Sequence, residues 1–369
     1  MVGDSPVSDD LQLPVRLIEE RWAVVSDAAD RSLETTLVLA FLGSASSGKD
    51  SAIKALFGID FGDIDPIPGS TDRVRIAPVD PKGNVLVVNA PGFGDLRASV
   101  EAQARSVIDR MDIGIYVVNA DGGATIDEKR DLHALRATGR PVLVCINKID
   151  LIRPHQRESF VRATLVQLGV EPHDAIVTAF DPLPALSRER LGVEPTIAWI
   201  HTKLEQQGKA LLFAKQLRNK VAATEVVIQS AARMAAVAGA VPFPGADMAA
   251  VTAVQVKLIG DLAAIFGQRL DKNAVLFLLG ELLAGTSKGF IRWGIEALKT
   301  AGWIPGGGMA EMAASALGAT VASATTYGVG KATVAWLTRN HELTGNDLRQ
   351  VFDHEAEAYR DDPQKRGEP

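Results

Sequence analysis

Apolar residues follow two different rhythms along this chain, and the change comes near residue 207. From 36 to about 206, short apolar runs alternate with amphipathic stretches of helical length. The runs TLVLAFLG (36–43), RVRIAPV (73–79), NVLVVNA (84–90), DIGIYVVNA (112–120), RPVLVCINK (140–148) and AIVTAF (175–180) predict six strands. Stretches 97–110, 126–138 and 154–169 predict helices between them. Strands that are apolar almost throughout, separated by helices, predict a mostly parallel sheet covered on both faces. Ligands of such sheets bind at the carboxyl ends of the strands.

Ahead of this segment, Leu11, Leu13, Val15, Leu17, Ile18, Trp22 and Val25 recur at helical spacing and predict an amphipathic helix over 11–32. After 207 the strand rhythm stops, and the chain becomes rich in Ala, Gly, Leu and Val. Helices are predicted over 210–238, 246–266, 272–285, 288–301, 309–337 and 343–361, with breaks at VPFPGAD, FGQRLDKN and GWIPGGG. Asp271 is the expected N-cap of the third. The resulting division is an N-terminal helix (1–33), an α/β domain (34–206), an all-α domain (207–340) and a C-terminal helix and tail (341–369).

Composition narrows the function classes. The chain has 369 residues, 47% hydrophobic and 23% charged, with a net charge of -6. That balance fits a globular protein of two or three domains and gives no general attraction to nucleic acid or anionic lipid. The opening MVGDSPVSDDLQLPV has neither a basic nor an apolar leader region, so a cytosolic protein is expected. Cys145 lies within an apolar strand run and is expected to be buried. The six histidines lack metal-ligand spacing.

Two motifs carry chemistry. In GSASSGKDS (43–51), Gly43 and Gly48 let the backbone wrap around phosphates, with Ser44, Ala45, Ser46 and Ser47 between them. Lys49 would reach the terminal phosphates, and Asp50 stands where the GxxxxGK[ST] pattern has a hydroxyl, followed by Ser51. In CINKID (145–150), Asp150 would accept two hydrogen bonds from guanine, Asn147 would brace the pocket and the Lys148 stem would cover the ring. Adenine lacks that donor pair, so an ATP-dependent enzyme is disfavoured.

With PGST (68–71), NAPGFGD (89–95) and VTA (177–179) added, residues 34–206 resemble the Era/TrmE-type branch of the P-loop GTPases. The resemblance implies a three-layer sandwich, binding of GTP and GDP, Mg2+ as cofactor and hydrolysis of GTP. It places Thr71, next to Ser70, over the metal and γ-phosphate, and Thr178 and Ala179 at the guanine oxygen. Gly92 would bond the γ-phosphate. Lys49, Thr71 and Gly92 are thus the candidate catalytic residues. Asn89 replaces the family's magnesium-supporting aspartate, so the acid has moved from the second switch to the phosphate loop. The rival reading is that Asp50 repels the phosphates and Ser51 points into the helix, leaving weak or metal-independent binding. Asp50, Thr71 and Asn89 are the candidate metal residues. Phe93 stands where a glutamine often orients the attacking water, which implies slow turnover; Asp72, Asp95 and Arg97 are unranked replacements. The alternative is a GTP- or GDP-bound scaffold that does not hydrolyse.

Residues 225–337 resemble the YcjF-type helical domain of unknown function, which occurs beside Era-like GTPase domains; PFPGAD is its most distinctive piece. The resemblance implies no catalytic residue there. The domain is a candidate surface for a second copy, a protein partner or a membrane. Residues 312–330 lack charge and are long enough to span, yet Ala, Ser, Thr and Gly dominate them, so a packed helix is favoured over insertion. No basic stripe supports a nucleic-acid partner.

Overall fold

The computed structural model describes residues 9–60, 74–90, 109–240, 246–282, 308–363 and 366. The helices expected over 97–110 and 288–301 lie outside them. So do Ser70, Thr71, Asp72, Gly92, Phe93, Asp95 and Arg97.

A leading helix α1 (Asp9–Glu34) is followed by six strands: β1 (Leu37–Leu42), β2 (Arg75–Pro78), β3 (Val85–Asn89), β4 (Ile113–Asn119), β5 (Val142–Asn147) and β6 (Ala175–Val177). They form one sheet, mostly parallel as the six apolar runs predict, in the order β2-β3-β1-β4-β5-β6. Every pairing is parallel except β2 with β3. β5 is buried along its whole length and β4 nearly so, which only apolar residues on both faces permit. Among the described residues, helices α2 (Lys49–Phe57), α3 (Ile126–Arg136), α4 (Arg157–Leu168), α5 (Val193–Glu205) and α6 (Ala210–Gln216) accompany the sheet. Tyr116, Val118 and Ile146 from the sheet and Leu132 and Leu135 from α3 share one buried cluster. Inside β5, burial pushes the Cys145 thiol up to about 12, against a weaker hydrogen bond from Thr196, so it remains a thiol.

The sheet belongs to a compact unit, Ser32–Ala223; the described residues on either side of it form a second. The single helix expected over 210–238 is two. Leu217 turns extended after α6, and the Asn219 side chain accepts from the backbone of Val221 and Ala222, starting α7 (Lys220–Gly239) afresh. The backbone N-H of Arg218 in the gap donates to the Leu56 carbonyl at 2.9 Å. An asparagine cap outweighs the continuous apolar rhythm here.

The second unit contains α8 (Ala246–Ile265), α9 (272–282), α10 (Gly308–Thr338) and α11 (Gly345–Asp361). At Gly260 of α8, a Cβ would stand 3.3 Å from both Trp22 and Val25 of α1. The apolar side of the leading helix therefore packs on a helix far later in the chain. Where α7 meets α10, a Cβ on Gly239 would lie 2.6 Å from the Gly318 carbonyl. The backbones approach closely because no side chain intervenes. Tyr327, Val329, Ala332 and Trp336 of α10 are buried, and the Tyr327 ring stacks on Tyr359 of α11 with centroids 4.4 Å apart.

Among the described residues, the helix that is long and apolar enough to cross a membrane by length and composition is Lys220–Gly239, with more than half of its apolar stretch buried. It is not the stretch 312–330 that the sequence singled out. Val and Ile in α7 carry more apolarity than the Ala, Ser and Thr of α10. Hydroxyls of α10 bond back along the helix, as Thr333 does to the Val329 carbonyl at 2.7 Å.

One carboxylate joins α7 to α10. Glu225 accepts from Gln229 at 3.0 Å, from the Tyr327 hydroxyl at 3.0 Å and from Lys331 at 3.1 Å. Burial works to raise its pKa, but these hydrogen bonds and the Lys331 charge outweigh it and hold the carboxyl below 4.5, its ordinary value. Stability from a depressed carboxyl is present above the unfolded value and is lost as pH falls through the folded one. Glu225→Gln should therefore lower the urea midpoint at pH 7, with the difference from wild type shrinking in buffers below about pH 4.

Candidate functional site

The strand order reverses beside β1, whose neighbours are β3 on one side and β4 on the other. The segment 43–48 leaves the carboxyl end of β1 at this point, where open α/β sheets bind ligands. Its path needs glycine at both ends. Gly43 has φ 137°, and a Cβ there would meet the Val117 carbonyl at 2.2 Å. Gly48 has φ 98°, and a Cβ there would strike Asn147 Nδ2 at 2.2 Å. Between them Ser46 is left-handed, with φ 60°. Helix α2 starts at Lys49, so its first backbone N-H groups face the end of the loop, a favourable place for phosphate.

Lys49 is buried, and Nζ donates to the carbonyls of Gly43 at 2.9 Å and Ser44 at 2.8 Å. The ammonium is thereby held inside the curve of the loop. The Ser44 hydroxyl donates to Glu128 Oε1 at 3.0 Å. Glu128 closes a capping box with Thr125 at the start of α3, which fixes its carboxylate under the loop. Ser47 Oγ is buried without a hydrogen-bond partner among the described residues. Ala45 and Ser51 flank these positions, Ser51 in the first turn of α2.

The second predicted motif meets the first directly. Asn147, at the end of β5 and 2% exposed, donates through Nδ2 to the Ser47 carbonyl at 2.9 Å. Its Oδ1 accepts from Thr178 Oγ1 at 3.3 Å and from the Phe180 backbone at 3.1 Å. One amide therefore binds the loop, its own strand end and the segment after β6. Lys148 follows in the left-handed region with φ 62°, and Asp150 lies in the one-turn helix Ile149–Leu151. Asp150 Oδ2 accepts from the Leu183 backbone at 3.1 Å. Thr178 and Ala179 are buried, and Ala179 pairs with Leu191 in an isolated antiparallel bridge.

Asp50 and Asn89, both departures from the sequence pattern, are in contact. The Asn89 amide donates to Asp50 Oδ1. Arg75 NH2 reaches the same carboxylate at 3.1 Å from Oδ2 and 3.4 Å from Oδ1. Asn89 is 1% exposed, and its Oδ1 is buried without a hydrogen-bond partner among the described residues.

Residues 38–148 match the family model described as 50S ribosome-binding GTPase, and residues 202–360 match the one described as Domain of unknown function (DUF697). The chain joins a P-loop GTPase domain to a DUF697 domain. GTPase Der of Leifsonia xyli subsp. xyli is 29% identical over 210 residues, covering 52% of this chain and 42% of that protein. GTPase Der of Solidesulfovibrio magneticus is 34% identical over 129 residues, covering 32% of this chain and 29% of that protein. The chain thus spans less than half the length of these curated relatives. Among solved structures, a probable GTP-binding protein engB aligns at 19% identity with a TM-score of 0.35, covering 46% of this chain and 99% of that one. The FeoB G-domain from Methanococcus jannaschii aligns at 20% identity with a TM-score of 0.32, over 46% and 99%.

In the GTPase domain the structure gathers 43–51, Asn89 and 147–150 at one end of the sheet, with 178–179 beyond β6. Thr71 and Gly92 lie outside the described residues. Two residues that sequence reasoning missed are Arg75 and Glu128. The TxxE of Thr125–Glu128 is legible as a capping box, but nothing in it points to Ser44. Arg75 is legible only through the β2–β3 register, which sets it opposite Asn89.

Of the candidate metal residues that are described, Asp50 is bonded to Arg75 and to the Asn89 amide, and the buried Asn89 amide oxygen is left as an acceptor that a metal-bound water could use. The described residues hold no cluster of three His, Cys, Asp or Glu side chains suited to a metal. Replacing Asn147 with alanine removes a buried donor and acceptor together. Asn147→Ala should cost about 2–4 kcal/mol of unfolding free energy by urea denaturation, and weaken binding of a fluorescent GDP by at least about tenfold.

Proposed function

We propose that the GTPase domain binds GTP and GDP with guanine selectivity, hydrolyses GTP slowly, and passes its nucleotide state to the DUF697 domain as a conformational switch. The observation that carries this reading is the bond from Asn147 to the Ser47 carbonyl, which holds the base-reading segment against the phosphate loop. A single nucleotide bridges these two segments when its phosphates lie in 43–48 and its base at Asp150. Lys49 and the N-terminus of α2 supply positive charge to the phosphates. Lys148 and Asp150 take the base, with Thr178 and Ala179 behind it.

Asp50 would approach Mg2+ through water, because Arg75 and the Asn89 amide already hold its carboxylate. Asn89 would support a bound water, with Thr71 completing the set by resemblance, and the ion would add to nucleotide binding without being required for it. When bound, the metal supplies neutralising charge to the phosphates. Catalysis would fall to Lys49, Thr71 and the Gly92 backbone. The side chain at Phe93 cannot orient water by hydrogen bonding, which motivates the slow rate. The relatives are named GTPases, so they give no support to a scaffold that does not hydrolyse.

The resemblance gives γ-phosphate sensing to Thr71 and to Gly92 through Asp95, and these would relay the nucleotide state. The DUF697 domain would present a surface to a second copy or to another protein.

Two measurements test the reading. Asp150→Asn should exchange guanine for xanthine preference, so that XDP displaces fluorescent XDP and GDP no longer does; unchanged guanine preference would overturn the base assignment. The isolated chain should release phosphate from GTP far more slowly than about 10 per second, and turnover near that median would contradict the slow switch.

A further inference from the structure

A carboxylate in a phosphate-binding loop has to be neutralised, because two negative groups at close range repel strongly where water is partly excluded. The sequence pattern avoids this with a hydroxyl in the place that Asp50 occupies. The structure provides a cation for it. Arg75 NH2 stands 3.1 Å from Asp50 Oδ2 and 3.4 Å from Oδ1, with the Arg75 side chain 36% exposed and the Asp50 side chain 22%. The Asn89 amide donates to the same carboxylate.

The three residues come from different elements: Asp50 from α2, Arg75 from β2 and Asn89 from β3. The antiparallel register sets Arg75 directly opposite Asn89, so both side chains leave the same face of the ribbon. β3 is parallel to β1, and Phe41 is opposite Asn89, so this face ends beside the start of the phosphate loop. The sheet therefore carries a guanidinium to the one loop position where the charge is unusual.

We infer that Arg75 is a nucleotide-site residue whose guanidinium balances Asp50, and that this pair lets the loop bind a guanine nucleotide without depending on a metal for charge neutrality. Arg75 is a positioning residue, since it acts through Asp50. The inference rests on the nucleotide-binding reading above. Its chemical content is that a fixed organic cation stands where a loop with a neutral hydroxyl relies on an exchangeable divalent ion. Arginine suits the role because it stays charged and can face both oxygens of one carboxylate.

The test is a double-mutant cycle on the full chain, reading fluorescent GDP affinity in excess EDTA and in millimolar Mg2+. Wild type should bind in both buffers, within about tenfold of each other. Arg75→Ala should bind at least about tenfold more weakly in EDTA, with much of the loss recovered in Mg2+, which then supplies the missing charge. Adding Asp50→Ser to Arg75→Ala should restore binding in EDTA, because the uncompensated carboxylate is gone. A purely structural role for Arg75 predicts no such rescue, and thermal melts of each variant identify any loss caused by unfolding. Arg75→Lys, which keeps the charge, should retain more EDTA binding than Arg75→Ala.

If wild type binds but Arg75→Ala is unaffected in EDTA, or its loss is not rescued by Asp50→Ser, the assignment of Arg75 is overturned and the nucleotide reading stands. Strict dependence of wild type on Mg2+ would also overturn it. If wild type binds neither GDP nor GTP in either buffer, the nucleotide reading fails and the assignment with it.

Discussion

The amide of Asn147 constrains the functional half of the molecule more than any other side chain. Its donor is taken by the Ser47 carbonyl, and its acceptor is shared by Thr178 and the Phe180 backbone. All of this happens at 2% exposure, where a lost partner is not replaced by water. Gly48 has no room for a Cβ because Asn147 Nδ2 stands 2.2 Å from where it would be. The glycine usually explained by its approach to phosphate is thus equally required by its approach to this amide. Loop shape, strand end and the segment after β6 follow from one residue with two hydrogen-bonding faces.

Around that fixed point the charges are arranged economically. The Lys49 ammonium is held by loop carbonyls, and the Asp50 carboxylate by a guanidinium and an amide. The Glu128 carboxylate is held by a hydroxyl and by the backbone that it caps. Each of these three charges has a partner outside its own helix, so loop, sheet and helix ends are tied together electrostatically as well as by apolar packing. The helical unit uses the same device at Glu225, where α7 and α10 are joined through Tyr327 and Lys331, and at Glu281 of α9, which Arg349 of α11 reaches at 2.8 Å.

Much of this was legible in the sequence, for identifiable reasons. Six apolar runs became six strands. In the central ones, β1, β3, β4 and β5, burial on both faces leaves no polar alternation to confuse the period, whereas β2 at the antiparallel edge alternates between half-buried and exposed. Asp50 and Asn89 stood out as departures from a motif, each visible locally. Arg75 did not, because its partner lies 25 residues away and is reached only through the antiparallel turn from β2 to β3. Glu128 was hidden for the same kind of reason, since its cap is local but its bond to Ser44 is not. The helix expected over 210–238 failed differently: Leu217 is buried at an extended position, so apolar spacing continued across a break that Asn219 imposes by capping. Periodicity reports which side of a segment faces inward, not whether the backbone stays helical between turns.

The approach of Gly239 to Gly318 has a mechanical meaning. With a backbone carbonyl where a side chain would normally lie, α7 and α10 have no compressible layer between them at that point. Sliding or rolling one helix against the other would bring main-chain atoms into collision or open a gap that no side chain can fill. Main chain against main chain at this point resists sliding of one helix along the other, so rearrangement within the helical unit is expected at its other joints.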